Sequence, residues 1–518
     1  MQKSIRQSMA WLHSWTGLIF GWLLFAIFIM GAVSYYRHEI SIWMQPQFAT
    51  HHVDQQQAIK SAYGYLQENA PDARRWYIGV ANNKNPVNEI FWEKAQGGFE
   101  RKVLDPNLGT EVKRSFTQGG DFFYNFHFQL YGMPIMVGRM ITTLAAFIML
   151  IALISGIITH KKIITDFFTL RAFKGQRSYL DFHNVTSVIA IPFFLTITFT
   201  GIAIFFYVYL PWGMKTTYPT NPFQYFEEIR FGKFPETPNS PKAEMKPVQY
   251  FLDQTQYKWG DTDIDNVMIR NPNTTSALFI LTEAKDHSIT HDKAQLTFNG
   301  IDGNILGNTR NNSAVAKLSY SMYGLHMATF ATPFLRLMFF FSGILGSLMI
   351  ASGLLLWSLK RQIQNKQQKF HLGHYLVNRL NVATFVGLPI AMLSYLYANR
   401  IVELEPKGPN YEIYTFFFVW LLSFIFALLT KQNALWKLQL KLFIVIGSLL
   451  PLFNLFTLIQ NQYISNIQEY WVFFRIDLMI ILFVFGAFFV HQKIEPIQTK
   501  AVNKISNKLR QKEIQESI

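Results

Sequence analysis

The chain has 518 residues, of which half are apolar and 15% are charged, and it contains no cysteine. About a quarter of the residues in a soluble protein are charged, so this composition predicts a membrane protein rather than a large soluble core. The lack of cysteine excludes disulfides, thiolate zinc sites, Cys-ligated iron–sulfur clusters and thiol catalysis. The net charge of +15 is typical of a multi-span protein with basic loops on one side of the membrane. Nucleic-acid binding would need a concentrated basic domain with aromatic residues, and the sequence shows none.

Eight apolar segments are long enough to cross a hydrocarbon core of roughly 30 Å, which takes about 20 helical residues. In chain order they are residues 12–36, 134–159, 185–210, 333–359, 380–398, 413–429, 438–459 and 471–490. The first is too long for the apolar part of a signal peptide and lacks a small-x-small cleavage site, so we expect a retained span. The sequence therefore predicts an α-helical polytopic membrane protein with about eight transmembrane helices.

Lysine and arginine residues mark one end of these spans. They precede the first span and follow the second, fourth, sixth and eighth, as at Lys3, Lys161, Lys360, Lys431 and Lys493. Because positively charged loops stay in the cytoplasm, both termini are predicted to lie there. The expected location is the lipid bilayer of a bacterial inner (cytoplasmic) membrane.

Two long segments between spans are predicted to face the periplasm, and each has the size of a small domain. The first shows a helix at 55–69, strands at 76–80 and 89–93, and a turn at 104–109. The second shows a helix near 247–257, strands around 266–270, 277–282 and 296–298, and a turn at 302–304. Helical periodicity followed by short strands with Gly and Pro turns predicts two small α+β modules.

The predicted organisation has seven parts. They are a first span (1–44), a first periplasmic module (45–125), the second and third spans with their cytoplasmic loop (126–210), a second periplasmic module (211–322), a fourth span (323–360), an additional bundle of four spans (371–491) and a basic cytoplasmic tail (492–518). The additional bundle has no modules of its own.

The first four spans repeat in pairs. The matching distances are 18 residues from His13 to Gly31 and from His183 to Gly201, and seven residues from His127 to Pro134 and from His326 to Pro333. The repeated unit is therefore a span, an outer module and a second span, used twice.

Histidines at matching offsets in both copies are functional candidates, because ionisable side chains at membrane depth are costly. Imidazole is the usual bis-axial ligand of low-spin haem, and the chain has no C-x-x-C-H motif, so two b-type haems are predicted. His127 and His326 would hold an outer haem, and His13 and His183 an inner haem, with His160 as a rival inner ligand. The alternative is a set of interfacial histidines that make ordinary hydrogen bonds.

Other polar side chains are given secondary roles. Arg139 and Arg336 would pair with haem propionates, with snorkelling to lipid headgroups as the alternative. Arg475 and Asp477 are interpreted as pairing with neighbours or a headgroup, with a proton or quinone role as the alternative. His38 is a candidate to assist the outer haem. The other histidines are interpreted as ordinary surface or interfacial side chains: His51, His52, His287, His291, His371, His374 and His491.

Four stretches carry a family resemblance. They are His13-Ser14-Trp15-Thr16-Gly17; Ser155-Gly156 through His160-Lys161-Lys162 to Arg171; Asp181-Phe182-His183-Asn184 with Pro192-Phe193 and Thr200-Gly201; and Tyr323-Gly324-Leu325-His326 with Arg336 and Gly343. On these motifs residues 1–360 resemble the PepSY-associated transmembrane family, which includes iron-regulated membrane proteins and inner-membrane ferric-siderophore reductases. The sequence departs from the family pattern at Tyr131 and Phe194, where some relatives carry histidine, and in its four extra spans.

The resemblance implies b-type haem in the membrane, PepSY domains in the periplasm, and reduction of a ferric siderophore or another periplasmic ferric complex for iron acquisition. The electron would come from a flavin, from a reduced pyridine nucleotide through a partner, or from quinol. The chain has no G-x-G-x-x-G fingerprint for binding a nucleotide, so the donor site is expected elsewhere or in an unrecognised form. The alternatives are a non-redox PepSY membrane regulator or binding protein, and a permease for iron or a siderophore.

Overall fold

A computed structural model of the chain describes residues 4–48, 53–82, 85–112, 117–160, 176–220, 225, 240–284, 288–290, 293–309, 313–364, 370–402, 410–465 and 467–516. The chain forms two compact units. The helical unit comprises Met1–Met44, Phe116–Ile202 and Leu337–Ile518, and the sheet unit comprises Gln45–Ser115 and Ala203–Arg336. The predicted basic loop that begins at Lys161 lies outside the described residues, as do His51, His52, His287 and His291.

Helices account for most of the described chain. In order they are α1 (Ile5–Ser34), α2 (Arg37–Met44), α3 (Gln55–Asn69), α4 (Asp121–Gln129), α5 (Ile135–Thr159), α6 (Gln176–Ile189), α7 (Ile191–Ile204), α8 (Phe206–Tyr209), α9 (Trp212–Thr217), α10 (Val248–Trp259), α11 (Ala314–Met327), α12 (Pro333–Gln364), α13 (Leu372–Phe385), α14 (Gly387–Ile401), α15 (Tyr411–Leu429), α16 (Leu435–Gln460) and α17 (Ile467–Glu516).

All eight predicted spans overlap described helices. Seven stretches are long and apolar enough to cross a membrane, in α1, α5, α12, the α13–α14 pair, α15, α16 and the first half of α17. The α6–α7 pair passes the same test but bends by 67°, so the spans number up to eight. Pro192 explains the bend, because proline lacks the N–H that would continue α6 and its ring clashes with the preceding turn. The polytopic helical class is thus confirmed.

Glycine brings α4 close to the membrane-spanning helix that follows it. Leu130 follows α4 with a positive φ of 58°. The chain turns there, and α5 begins five residues later, at Ile135. A Cβ on Gly138 of α5 would lie 1.7 Å from the carbonyl oxygen of Gln129. Only glycine therefore permits this approach, which holds α4 against α5 and places His127 beside α1.

The described residues of the sheet unit form a seven-stranded antiparallel sheet. Its strands are β1 (Arg75–Gly79), β2 (Asn88–Glu93), β3 (Phe99–Leu104), β4 (Ile264–Arg270), β5 (Leu278–Glu283), β6 (Gln295–Asn299) and β7 (Ile305–Thr309). They lie in the order β3-β2-β1-β4-β5-β6-β7, and β1 pairs with β4 so that Ile78 lies opposite Val267. The sequence predicts two separate modules, whereas the structure joins them in one sheet through the β1–β4 pairing.

Buried and partly exposed side chains alternate along β1, and the buried ones contribute to the core of this unit. Trp76 and Ile78 of β1 are fully buried and lie in one apolar cluster with residues of α3 and α10. Phe251 of α10 stacks on Phe279 of β5 with ring centroids 4.3 Å apart. The predicted helix at 55–69 is confirmed, and the Asp54 side chain caps it by accepting from the first turn. One apolar face of each helix thus covers one face of the sheet.

Candidate functional site

His13 lies near the start of α1 and faces α5. Its Nδ1 is 2.9 Å from the carbonyl oxygen of Ala152. Because a carbonyl can only accept, Nδ1 carries the proton and Nε2 presents its lone pair. The ring lies against Gly156, where a Cβ would be 3.2 Å from its Cε1 atom. The glycine makes room for the imidazole, and the carbonyl fixes its tautomer.

His183 has the same environment in the second copy of the repeat. Its Nδ1 is 2.8 Å from the carbonyl oxygen of Met349 on α12 and 3.3 Å from the hydroxyl oxygen of Ser352. The ring lies against Gly353, where a Cβ would be 3.1 Å from Cε1. His183 therefore also presents Nε2, and the repeat seen in the sequence is a repeat of imidazole environments.

His127 on α4 shows this arrangement a third time. Its Nδ1 is 2.8 Å from the carbonyl oxygen of Ile27 on α1, and a Cβ on Gly31 would lie 2.7 Å from the ring. In all three cases the accepting carbonyl lies four residues before the glycine. A missing Cβ at one position thus uncovers the carbonyl of the preceding turn, which becomes the anchor for an imidazole from another helix.

The structure brings His13 and His183 together. Their ring centroids are 6.2 Å apart and their planes are inclined by 65°. A metal ion lies about 2.0 Å from an imidazole nitrogen, which puts the centroids of two rings on opposite sides of one ion about 6 Å apart. Among the described residues, neither Nε2 has a hydrogen-bond partner. The centroid spacing of the pair therefore matches that of two imidazoles on one metal ion.

The rival ligand His160 makes a different contact. Its Nε2 lies 2.8 Å from the side-chain nitrogen of Asn184, the residue after His183. An amide nitrogen donates, so this Nε2 accepts a hydrogen bond. His160 is thus a neighbour of the pair, with its Nε2 turned to an amide.

The remaining predicted site residues are distributed over both units. His326 lies at the end of α11 in the sheet unit, whereas His127 lies in the helical unit, and their pairing stays a prediction. Arg139 donates to the side-chain oxygen of Gln129 at 3.2 Å, and its guanidinium lies 5.4 Å from the Phe128 ring centroid. Arg336 lies in the first turn of α12, where its backbone N–H donates to Thr332.

The glycines that receive the imidazoles had no role in the predictions from the sequence. Gly31 entered the predictions only as the end of the repeat spacing from His13, and Gly156 only as part of a family-like motif. The available signal was a glycine near the end of both the second and the fourth span, because close approach of a side chain from another helix needs a residue without Cβ. The contacts then assign Gly156 to His13 and Gly353 to His183.

A comparison with known families agrees with the geometry of the repeat. The family model described as the PepSY-associated TM region matches residues 10–360. This is more than half of the chain and includes all four repeated histidines. No curated protein matches the chain. The chain is thus a multi-pass membrane protein that belongs to the PepSY-associated transmembrane family.

Proposed function

We propose that the protein holds two b-type haems within its helices and moves electrons through the membrane to a ferric complex. The observation that carries the proposal is the His13–His183 pair, whose centroids are 6.2 Å apart. Two imidazoles suffice for a bis-axial haem, whereas a zinc site needs three or four protein ligands. The haem supplies one-electron chemistry at iron.

The residues around the pair prepare it for this role. The Ala152 and Met349 carbonyls hold both Nδ1 protons, so both Nε2 lone pairs are available without a change of tautomer. A ring N–H that donates to a carbonyl also raises the basicity of the other ring nitrogen and fixes the ring plane. A haem held by His13 and His183 would be bound tightly and would have a lowered reduction potential.

A second haem between His127 and His326 is proposed from the repeat. His127 has the same carbonyl anchor and glycine contact as the inner pair. In this proposal Arg139 and Arg336 pair with propionates. Electrons enter from a cytoplasmic flavin or nicotinamide partner, or from quinol, and leave to a ferric siderophore or another ferric complex at the periplasmic PepSY modules.

The first experiment measures haem. Purified protein should show b-type Soret and α bands in reduced-minus-oxidised spectra, with about two haems per chain by pyridine haemochrome. His183→Ala should remove one haem and His127→Ala the other. His371→Ala is the control, because this exposed imidazole caps α13 and should leave both haems in place.

Two outcomes would overturn the assignment. Folded protein supplied with haem that gives no bands would exclude a haem function and leave a PepSY regulator or a permease. Loss of the inner haem in His160→Ala but not in His13→Ala would make His160 the ligand. Reoxidation of the reduced protein by an added ferric siderophore tests the substrate, and uptake into vesicles identifies a permease.

A further inference from the structure

A buried polar cluster lies in the helical unit, mostly beyond the residues that the family model matches. It joins α2, α14, α15, α16 and α17 and is called the Arg400 cluster. Its members are Trp43, Asn399, Arg400, Glu412, Asn454, Tyr470 and Asp477. Buried charges are expensive unless each is paired or hydrogen-bonded, so the donors and acceptors of the cluster decide where its charges lie.

Arg400 is the cation of the cluster. Its Nε and one terminal nitrogen donate to the side-chain oxygen of Asn454, at 3.1 and 2.9 Å. Its other terminal nitrogen donates to the oxygen of Asn399 at 2.8 Å. The guanidinium also donates to the backbone carbonyl of Trp43 and lies 4.2 Å from the centroid of its indole ring. Guanidinium stays protonated in proteins, so one positive charge is fixed here.

Asp477 has the contacts of an anion. It is fully buried, and one oxygen accepts from the Trp43 indole N–H at 3.0 Å. The other oxygen accepts from Asn454 at 2.9 Å and from the Tyr470 hydroxyl at 2.7 Å. Three donors on two oxygens stabilise the ionised form. The Asn454 amide bridges this carboxylate to the Arg400 guanidinium, so the two charges balance.

Glu412 is the second carboxyl, and its surroundings differ. It is also fully buried, and one oxygen accepts from the Asn399 amide at 2.7 Å, with the Thr117 side chain as a second hydrogen-bond partner of the carboxyl group. The other oxygen has no hydrogen-bond partner among the described residues. Tyr395 and Arg400 are its further polar neighbours. Since Asp477 already balances the guanidinium, an ionised Glu412 would be an uncompensated buried anion with one oxygen that no described group donates to, which costs far more than a neutral acid.

We propose that Glu412 is a proton-binding site of the helical unit, neutral at rest beside an ionised Asp477. Loss of its proton to water leaves the carboxylate, and uptake of a proton restores the acid. The group therefore lets this bundle exchange one proton and change its charge by one. The proposal deals with the bundle alone and does not rest on the haem.

Infrared spectroscopy of the full protein tests the protonation directly. A protonated carboxyl has a C=O stretching band that is separate from the carboxylate bands and shifts in D₂O. Glu412→Gln should remove a band of this kind at neutral pH, while Tyr470→Phe, which removes one donor to Asp477, should retain it. A band that persists unchanged in folded Glu412→Gln would overturn the proposal.

Thermal stability gives a second and independent readout. Glutamine matches a neutral glutamic acid in shape and can still accept from Asn399, so Glu412→Gln should leave the melting temperature almost unchanged. Asp477→Asn removes the charge that balances Arg400 and should lower the melting temperature clearly. The opposite ranking of the two variants would place the buried anion at Glu412 and refute the proposal.

Discussion

At the scale of single residues, the receiving glycines decide where the imidazoles lie. Each of Gly31, Gly156 and Gly353 lies in ring contact with a histidine from another helix, and each uncovers the carbonyl of the preceding turn. Alanine would improve helix propensity at such a position by about 1 kcal/mol. Glycine at these positions therefore provides space for an imidazole and no advantage in helix propensity.

Substitution of a receiving glycine should disturb the imidazole that it contacts. In Gly31→Ala the new methyl carbon would start 2.7 Å from the His127 ring, so the ring must move and its bond to Ile27 must lengthen. We expect loss of the haem that depends on His127. The measurement is haem content together with melting temperature.

Gly17→Ala is the matched control for this variant, because it lies on the same helix with nothing within 4 Å of the added atom. It should retain full haem content and melt at the same or a slightly higher temperature. Equal haem content in both variants would show that the glycine contact does not position the imidazole.

At the scale of elements, the additional bundle supports the helix that carries His127. Tyr395 of α14 is fully buried, and its hydroxyl donates to the Gly119 carbonyl at 2.9 Å. Its ring stacks on Phe122 of α4 with centroids 4.9 Å apart. The bundle beyond residue 370, for which the sequence indicated no role, thus packs against α4.

Removal of the Tyr395 hydroxyl should loosen α4. Tyr395→Phe leaves the Gly119 carbonyl without this donor in a buried place, which costs about 1–3 kcal/mol. We expect a lower melting temperature and weaker retention of the haem that depends on His127. Tyr397→Phe removes an equivalent bond, to Ile446 at 2.9 Å, on the same helix, and should lower stability without this effect on haem. Similar haem loss in both variants would contradict the role of α14.

At the scale of the whole molecule, the β1–β4 pairing makes one sheet from two distant segments. Val267 is fully buried and lies opposite Ile78. Proline is tolerated on edge strands and not in central ones. Val267→Pro should therefore expose residues 75–104 as well as 264–309 to limited proteolysis, mapped by mass spectrometry.

Leu306→Pro, on the edge strand β7, is the control for this change and should open the sheet only locally. If residues 75–104 stay resistant in Val267→Pro, the two halves of the sheet fold independently, and the β1–β4 pairing does not hold them together.

Much of this architecture could be predicted from the sequence because its signals are local. Apolar runs give the spans, and the polar face and Asp54 cap give the helix at 55–69. The β1–β4 pairing could not be predicted, because the sequence of a strand indicates which face is buried but not which distant strand pairs with it.

The site was predictable to a similar degree. The equal offsets of His13 and His183 indicated a pair, since duplicated segments place equivalent residues at equivalent depths. The Arg400 cluster was not predicted from the sequence, because charged residues near the ends of spans usually lie at the membrane interface. The interpretation that Asp477 pairs with neighbours agrees with its contacts. A headgroup contact was wrong for Asp477, because this side chain is fully buried, whereas Arg475 is exposed. Only tertiary contacts distinguish the two positions.

The shared sheet also constrains how the molecule is made. When the first three strands leave the ribosome, the open edge of β1 has no partner, because β4 is translated only after two further spans. An unpaired apolar edge is prone to aggregation. Strands β1–β3 of the nascent chain must therefore stay unfolded, or have the edge of β1 covered, until β4 has been translated. Translation of the second half, and not of the first, is the step that commits the polypeptide to its native topology.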